Sequence, residues 1–258
     1  MTNAEIWFTR ARLNREAPDL APLIGRLLPG KADDENLNAT HQLLWTLMPR
    51  AMQQAGKPGL EGGGDRAAFL WRQAEEPNCW YLLGPRPRQD ASFFTVETKP
   101  YELVLERGDR LAFDLIVNAT VNRLVDPSKG RDGRRRCDVV MDALKAEERL
   151  AGGRVDRAAR RQLTAKAALK TWMSEQGARH GFVLELDAFV LISYRTVEIN
   201  RPAHGRGGAR SRGRPLMGVA HIRGIVSVTD AAAFAAKVVT GFGRAKAFGC
   251  GLMLLRRA

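Results

Sequence analysis

Two stretches at opposite ends of the chain carry residues able to do chemistry. Near residue 250, Gly241-Phe-Gly-Arg-Ala-Lys-Ala-Phe-Gly-Cys-Gly251 sets four glycines around two cations, Arg244 and Lys246. Glycine permits positive φ and close backbone approach, so Gly241, Gly243, Gly249 and Gly251 allow a loop whose N–H groups converge on one anion. The guanidinium and the ammonium add charge where a phosphate would sit. No Gly-Lys-Ser/Thr closes the stretch and no strand leads into it, so it is neither a Walker loop nor a dinucleotide fingerprint. A flexible turn with solvated charges is the competing reading. At the other end, His41 lies on the apolar stripe Leu37, Leu44, Trp45 and Met48 of an expected helix. An imidazole titrates near neutrality and can give or take a proton. A lone histidine on such a stripe is, however, usually a packed residue.

Two basic runs add to this. Arg134, Arg135 and Arg136 follow glycines in mid-chain, and Arg201, Arg206, Arg210, Arg212 and Arg214 lie in a glycine-rich segment without a single acid. Charge clustered among glycines favours phosphate binding over plain solubility, the alternative reading. The remaining histidines rank lower. His180 reads as the C-terminal cation of a helix, His204 lies in the arginine segment, and His221 reads as a hydrogen-bonded histidine of a strand. No two histidines stand at zinc spacing, and a solvated loop accounts for Asp33, Asp34 and Glu35. No cofactor and no metal are expected.

Certain elements must hold these residues. Ile6–Leu13 alternates as a first strand. Asn38 or Thr40 is expected to cap the histidine helix, which stops at Pro49. Residues 67–71 and 80–83 pattern as two strands, and 94–105 is extended, broken by Pro100. The resulting β-α-β-β-(short α)-β order suggests a ferredoxin-like unit. Residues 111–121 open a second one, through Leu111, Phe113, Leu115 and Val117. Helices are expected over 137–150 and 156–176, the latter burying Leu163, Ala167 and Met173. A strand is expected over 182–199 and another over 219–228. Thr229 or Asp230 then caps a helix over 231–239 that empties into the glycine loop. The expected fold is α+β, two tandem ferredoxin-like domains over 1–108 and 109–258.

Composition narrows the class of partner. Of 258 residues, 41 are Lys or Arg against 28 Asp or Glu, a net charge of +13 with a pI near 10.4. That excess favours a polyanion, nucleic acid more than membrane. No apolar run reaches transmembrane length and no signal-peptide pattern opens the sequence. The three cysteines are odd in number and far apart, so no disulfide framework is suggested. A cytoplasmic protein is expected.

Three places agree with one family. Thr40-His-Gln-Leu-Leu-Trp-Thr-Leu-Met-Pro49 is similar to the histidine helix of the CasE family, the CRISPR repeat-processing endoribonucleases of type I-E systems. The segment from Asn118 to Arg136-Cys137 resembles their midchain segment, and Gly241–Leu252 resembles their C-terminal glycine-rich signature. The resemblance implies metal-independent cutting of precursor CRISPR RNA and retention of the 3′ repeat hairpin within Cascade, beside its other subunits. The family often carries a tyrosine three residues before the histidine, where this chain has Asn38. For such a reaction the RNA supplies its own 2′-OH nucleophile, and the protein supplies proton transfer and positive charge. His41 is the expected proton-transfer group, as base or as acid. Lys246 or Arg244 is the expected electrostatic group, with the loop amides assisting. The arginine runs would grip a short hairpin, whose ends admit side chains that a long A-form groove excludes. A CRISPR RNA-binding subunit without catalysis is the alternative.

Overall fold

The computed structural model describes residues 5–14, 37–54, 67–90, 93–124, 128, 133–153, 156–198 and 216–258. Its first sheet comprises β1 (Trp7–Leu13), β2 (Leu70–Gln73), β3 (Cys79–Gly84) and β4 (Phe94–Pro100), antiparallel in the order β2-β3-β1-β4. Alternation sorts the two faces. Thr9, Ala11 and Leu13 of β1 are buried, whereas Phe8, Arg10 and Arg12 lie on the other face.

Helix α1 (Leu37–Trp45) and the turn that follows it cover the buried face, packing Leu43, Leu44, Leu47 and Met48 with Ala11, Trp71, Trp80 and Leu82. Burying each such aliphatic side chain contributes roughly 1.5–3 kcal/mol. The helix includes Leu37, so neither Asn38 nor Thr40 is its cap, and Thr40 is buried within the first turn. Its α-helical part ends at Trp45, short of the expected stop at Pro49. The amides of Thr46, Leu47 and Met48 each bond the carbonyl three residues back, tightening the last turn before Pro49, which has no N–H to continue the ladder. The short helix α2 (Arg50–Gln54) follows, and Gln53 Nε2 donates to the Met48 carbonyl at 2.7 Å. Among the described residues no helix stands between β3 and β4. Pro85 and Pro87 disfavour one there, and Arg88 N–H instead donates to the Leu47 carbonyl at 2.8 Å.

The second sheet contains β5 (Arg110–Val117), β8 (Phe182–Leu184), β9 (Val190–Glu198), β10 (Leu216–Val228) and β11 (Met253–Arg257), in the order β11-β5-β10-β8 with β9 also paired to β10. A separate ribbon, β6 (Thr120–Leu124) with β7 (Arg134–Asp138), leaves the end of β5. Helices α3 (Val139–Leu150), α4 (Arg157–His180) and α5 (Ala231–Thr240) cover one face over a core that includes Phe113, Leu115, Leu144, Leu169, Met173 and Phe234. In both sheets the unit's first strand lies between its third and fourth, and its second takes the edge. That is the order a βαββαβ chain produces, so the fold is α+β with two tandem ferredoxin-like units.

Two expectations change here. The strand read over 182–199 is interrupted by a 3-10 turn at Leu186–Ala188, and β8 and β9 form one broken edge. On α4 the inner stripe is Ala165, Leu169, Trp172, Met173 and Gln176, while Ala167 is exposed and Leu163 is 76% exposed. In an alanine-rich helix the apolar faces are nearly equivalent, and the partner chooses one of them. Arg134–Arg136 stand on strand β7 with their side chains exposed. Asp230 caps α5 as expected, accepting from the Ala233 amide at 3.0 Å. Among the described residues no helix is long and apolar enough to cross a membrane.

The two units meet along β2. Leu70 and Leu83 pack with Leu252, and Leu254 joins them from β11. Arg72 reaches across to Asp114 of β5, Nη1 to Oδ1 at 2.6 Å.

Candidate functional site

The glycine loop is sewn to the end of β5 and pressed against the first unit. Phe242 N–H donates to the Gly251 carbonyl at 3.0 Å, closing the loop. Gly251 N–H donates to Ile116 at 2.8 Å and Arg244 N–H to Asn118 at 3.0 Å. Phe248 and Gly249 N–H bond back to Ala245 and Lys246 in a 3-10 turn, Lys246–Phe248. With Gly241 N–H on the Lys237 carbonyl at 2.9 Å, six amides of the loop are occupied by carbonyls of the chain itself and do not face an anion. The glycines serve contact as well. A Cβ on Gly241 (φ 79°) would stand 2.7 Å from Leu70 Cδ2, and one on Gly243 (φ 62°) 2.5 Å from the Asn118 carbonyl oxygen. Between the cations, Ala245 is left-handed (φ 57°), a conformation that costs a non-glycine residue about 1–3 kcal/mol.

Helix α1 packs directly on that turn, with Cα atoms of the two within 8 Å. Leu37, at the start of α1, joins a cluster of Val197, Met217, Val219 and Cys250 that Ala245 and Phe248 also enter. His41 lies one turn further along the same helical face. Its ring meets Trp45 edge-on at 5.9 Å between centroids and tilts over Phe69 at 5.5 Å. It is half-buried, not sealed. The helix that bears His41 and the turn Lys246–Phe248 thus meet at the junction of the two units. Burial pushes the Cys250 thiol up to about 12, partly offset by the nearby charge of Arg195.

The arginine ribbon roots beside the same loop. Asn118, bridged to Arg244, lies two residues before β6, and its Nδ2 donates to the Gly218 carbonyl at 2.7 Å. Arg134, Arg135 and Arg136 are all exposed. Asp138 ends the ribbon, accepts from the amides of Val140 and Met141 as the N-cap of α3, and accepts the Tyr194 hydroxyl at 2.9 Å. Arg161 stacks over the Tyr194 ring at 5.3 Å and donates to Thr196 Oγ1. Arg201, Arg206, Arg210, Arg212, Arg214 and His204 lie outside the described residues, as do Asp33, Asp34 and Glu35. The strands on either side of the arginine segment are paired up to Glu198↔Leu216.

Among the other histidines, His221 Nε2 lies 2.9 Å from Asp114 Oδ1, as expected of a bonded strand histidine. His180 is the last residue of α4, and burial, then the charges of Lys237 and Arg179, pull its imidazole below the usual range. Sequence reading missed Arg161, Arg195 and the Asp138–Tyr194 pair. Arg195 follows the polar–apolar alternation of β9, exposed beside buried Tyr194, so no local signal marks it. The other residues acquire meaning only through their partners. Among the described residues no group of three or more His, Cys, Asp and Glu side chains could hold a metal.

The family model for CRISPR associated proteins matches residues 6–257. No curated protein matches the chain in sequence. Among solved structures, the chain is similar to Thermus thermophilus Cse3 bound to an RNA representing a pre-cleavage complex. The TM-score is 0.60 and the identity 18%, over 98% of this chain and 99% of that one. It is also similar to the CRISPR-associated protein Cas6e from Escherichia coli K-12, with TM-score 0.55 and 21% identity over 98% and 100% of the two chains. A chain of a CRISPR RNA-guided surveillance complex matches with TM-score 0.53 and 16% identity, over 98% and 100%. Likeness at these identities is a likeness of fold. The family match, spanning residues 6–257 of 258, shows that this chain belongs to the family of CRISPR associated proteins.

Proposed function

We propose that this chain is a metal-independent endoribonuclease that cuts precursor CRISPR RNA within its repeat, at the base of the hairpin. The observation that carries this reading is the packing of α1, which bears His41, against the cationic turn Lys246–Phe248. The solved structures of the same fold include the CRISPR endoribonuclease Cse3 bound to RNA, one of them with an RNA representing a pre-cleavage complex.

In the reaction, the 2′-oxygen beside the scissile phosphate attacks phosphorus, forming one P–O bond while the bond to the 5′-oxygen breaks. A base takes the 2′-OH proton and an acid gives one to the departing 5′-oxygen. The products are a 2′,3′-cyclic phosphate and a 5′-OH. His41 is assigned one of these proton transfers. Lys246, with Arg244 beside it in sequence, stabilises the charge that grows on the phosphorane. Arg134–Arg136 and the arginines between residues 201 and 214 hold the hairpin phosphates. The catalytic histidine belongs to a first domain over 1–108 and the basic loops to a second over 109–258. The 3′ hairpin product stays bound, and the protein serves as a subunit of Cascade.

Incubation of the cognate repeat RNA with the protein in EDTA tests this. One cut with a 2′,3′-cyclic phosphate end, lost in His41→Ala while RNA binding persists, is expected. Tight binding with no cut by the wild type would instead make the chain an RNA-holding subunit, and a cut that EDTA abolishes would make it a metal nuclease.

A further inference from the structure

One short edge strand touches both halves of the candidate site. Phe69, just before β2, packs on the His41 ring at 5.5 Å. Leu70 fills the space over Gly241, and Trp71 lies against Gly249 at the far end of the cationic loop. The next residue, Arg72, is 7% exposed and crosses to the second unit, donating from Nη1 to Asp114 Oδ1 at 2.6 Å and to the Asp114 carbonyl at 3.1 Å. Asp114 is further held by His221 at 2.9 Å and by Arg223 Nε at 2.5 Å, and Arg223 also reaches Glu75 at 3.5 Å. Hydrophobic contact is non-directional and lets two packed units slide. An ion pair whose guanidinium is buried and whose carboxylate is only partly exposed favours a single register, because a shift leaves the desolvated guanidinium unpaired.

We propose that the Arg72–Asp114 pair is a positioning clamp. It sets where the first unit, and with it His41, stands relative to the Arg244–Lys246 loop, so that it governs the rate of cleavage and not the grip on RNA. This rests on the endoribonuclease reading. Neither residue belongs to the arginine ribbon or to the cationic loop, so RNA affinity does not depend on them. Sub-ångström to ångström errors in placing reacting groups cost up to about 100-fold in rate.

Three variants test the clamp: Arg72→Met, Asp114→Asn and the double variant. Three measurements apply to each: single-turnover cleavage at saturating protein, Kd for the repeat RNA, and the melting temperature. The single variants are expected to cleave about 10- to 100-fold more slowly with Kd within about twofold of wild type, and to melt earlier. The double variant, with no unpaired buried charge, is expected to regain melting temperature but not rate. A merely structural pair would regain both together, and that result would overturn the clamp, as would wild-type rates in Arg72→Met. A readout independent of cleavage is the distance between spin labels on Thr95→Cys and Lys166→Cys in a Cys137→Ser background. The distribution should be narrow with the clamp and broad in Arg72→Met/Asp114→Asn, and an unchanged distribution overturns the proposal. Should the wild type fail to cut any repeat RNA, the endoribonuclease reading falls, and the label distances still decide whether the clamp exists.

Discussion

Gly249 and Trp71 touch across the boundary between the two units: a Cβ added to Gly249 would stand 3.1 Å from Cζ3 of the indole. The cationic loop and β2 are therefore in van der Waals register, and the absence of a side chain at position 249 permits it. Gly249 is also left-handed, with φ 77°. Gly249→Ala combines a strained backbone with a displaced tryptophan. It is expected to lower stability by about 1–3 kcal/mol, read as a fall in the melting temperature. A melt equal to wild type would show that the loop is not seated on Trp71.

Removal of the imidazole should act on chemistry alone. General acid–base catalysis contributes about 10²–10⁴-fold, so His41→Ala should slow single-turnover cleavage by that factor and leave RNA affinity near wild type. His41 packs on Phe69 and Trp45 without being sealed, so its loss should cost little stability. A variant that unfolds would return His41 to the role of a packed core residue.

The arginine ribbon should behave as an electrostatic grip. Arg134, Arg135 and Arg136 are exposed, and each phosphate that an arginine no longer neutralises should lower the slope of log K against log salt by about 0.7–0.9. Replacing all three with alanine is expected to weaken repeat-RNA binding and flatten its salt dependence, measured by filter binding between low and moderate salt. An unchanged slope would remove the ribbon from the RNA footprint.

Acid should loosen the domain junction. Burial alone would raise the Asp114 carboxyl, but the bonds from His221, Arg72 and Arg223 outweigh it and hold the group well below the usual carboxylate range. A depressed folded pKa means stability that is present above the unfolded value, about 3.9, and lost as pH falls through the folded one. Wild type should therefore exceed Asp114→Asn in denaturation midpoint at neutral pH, with the gap narrowing as pH drops below about 4. A gap constant with pH would mean that Asp114 contributes nothing through its charge.

Local pattern along the chain determined a good deal. The alternation of β1, the end of α1 ahead of Pro49, the Asp230 cap of α5 and the four turn glycines are all local chemistry, settled within a few residues of where they act. The two sets of βαββαβ-like pattern likewise announced the tandem fold. What local pattern could not decide was which of several equivalent choices a distant partner would select. On α4 the alanines make neighbouring faces alike, and packing against the rest of the unit turned Leu163 outward and Ala165 and Leu169 inward. Arg72 and Asp114 are 42 positions apart, and nothing near either marks them as a pair. The meeting of α1 with the Lys246–Phe248 turn spans most of the chain and follows from sheet order and the seating of β2 on the second unit. Periodicity and capping act over one or two turns of chain, whereas a site assembled from both ends of the sequence is fixed only when the cores close.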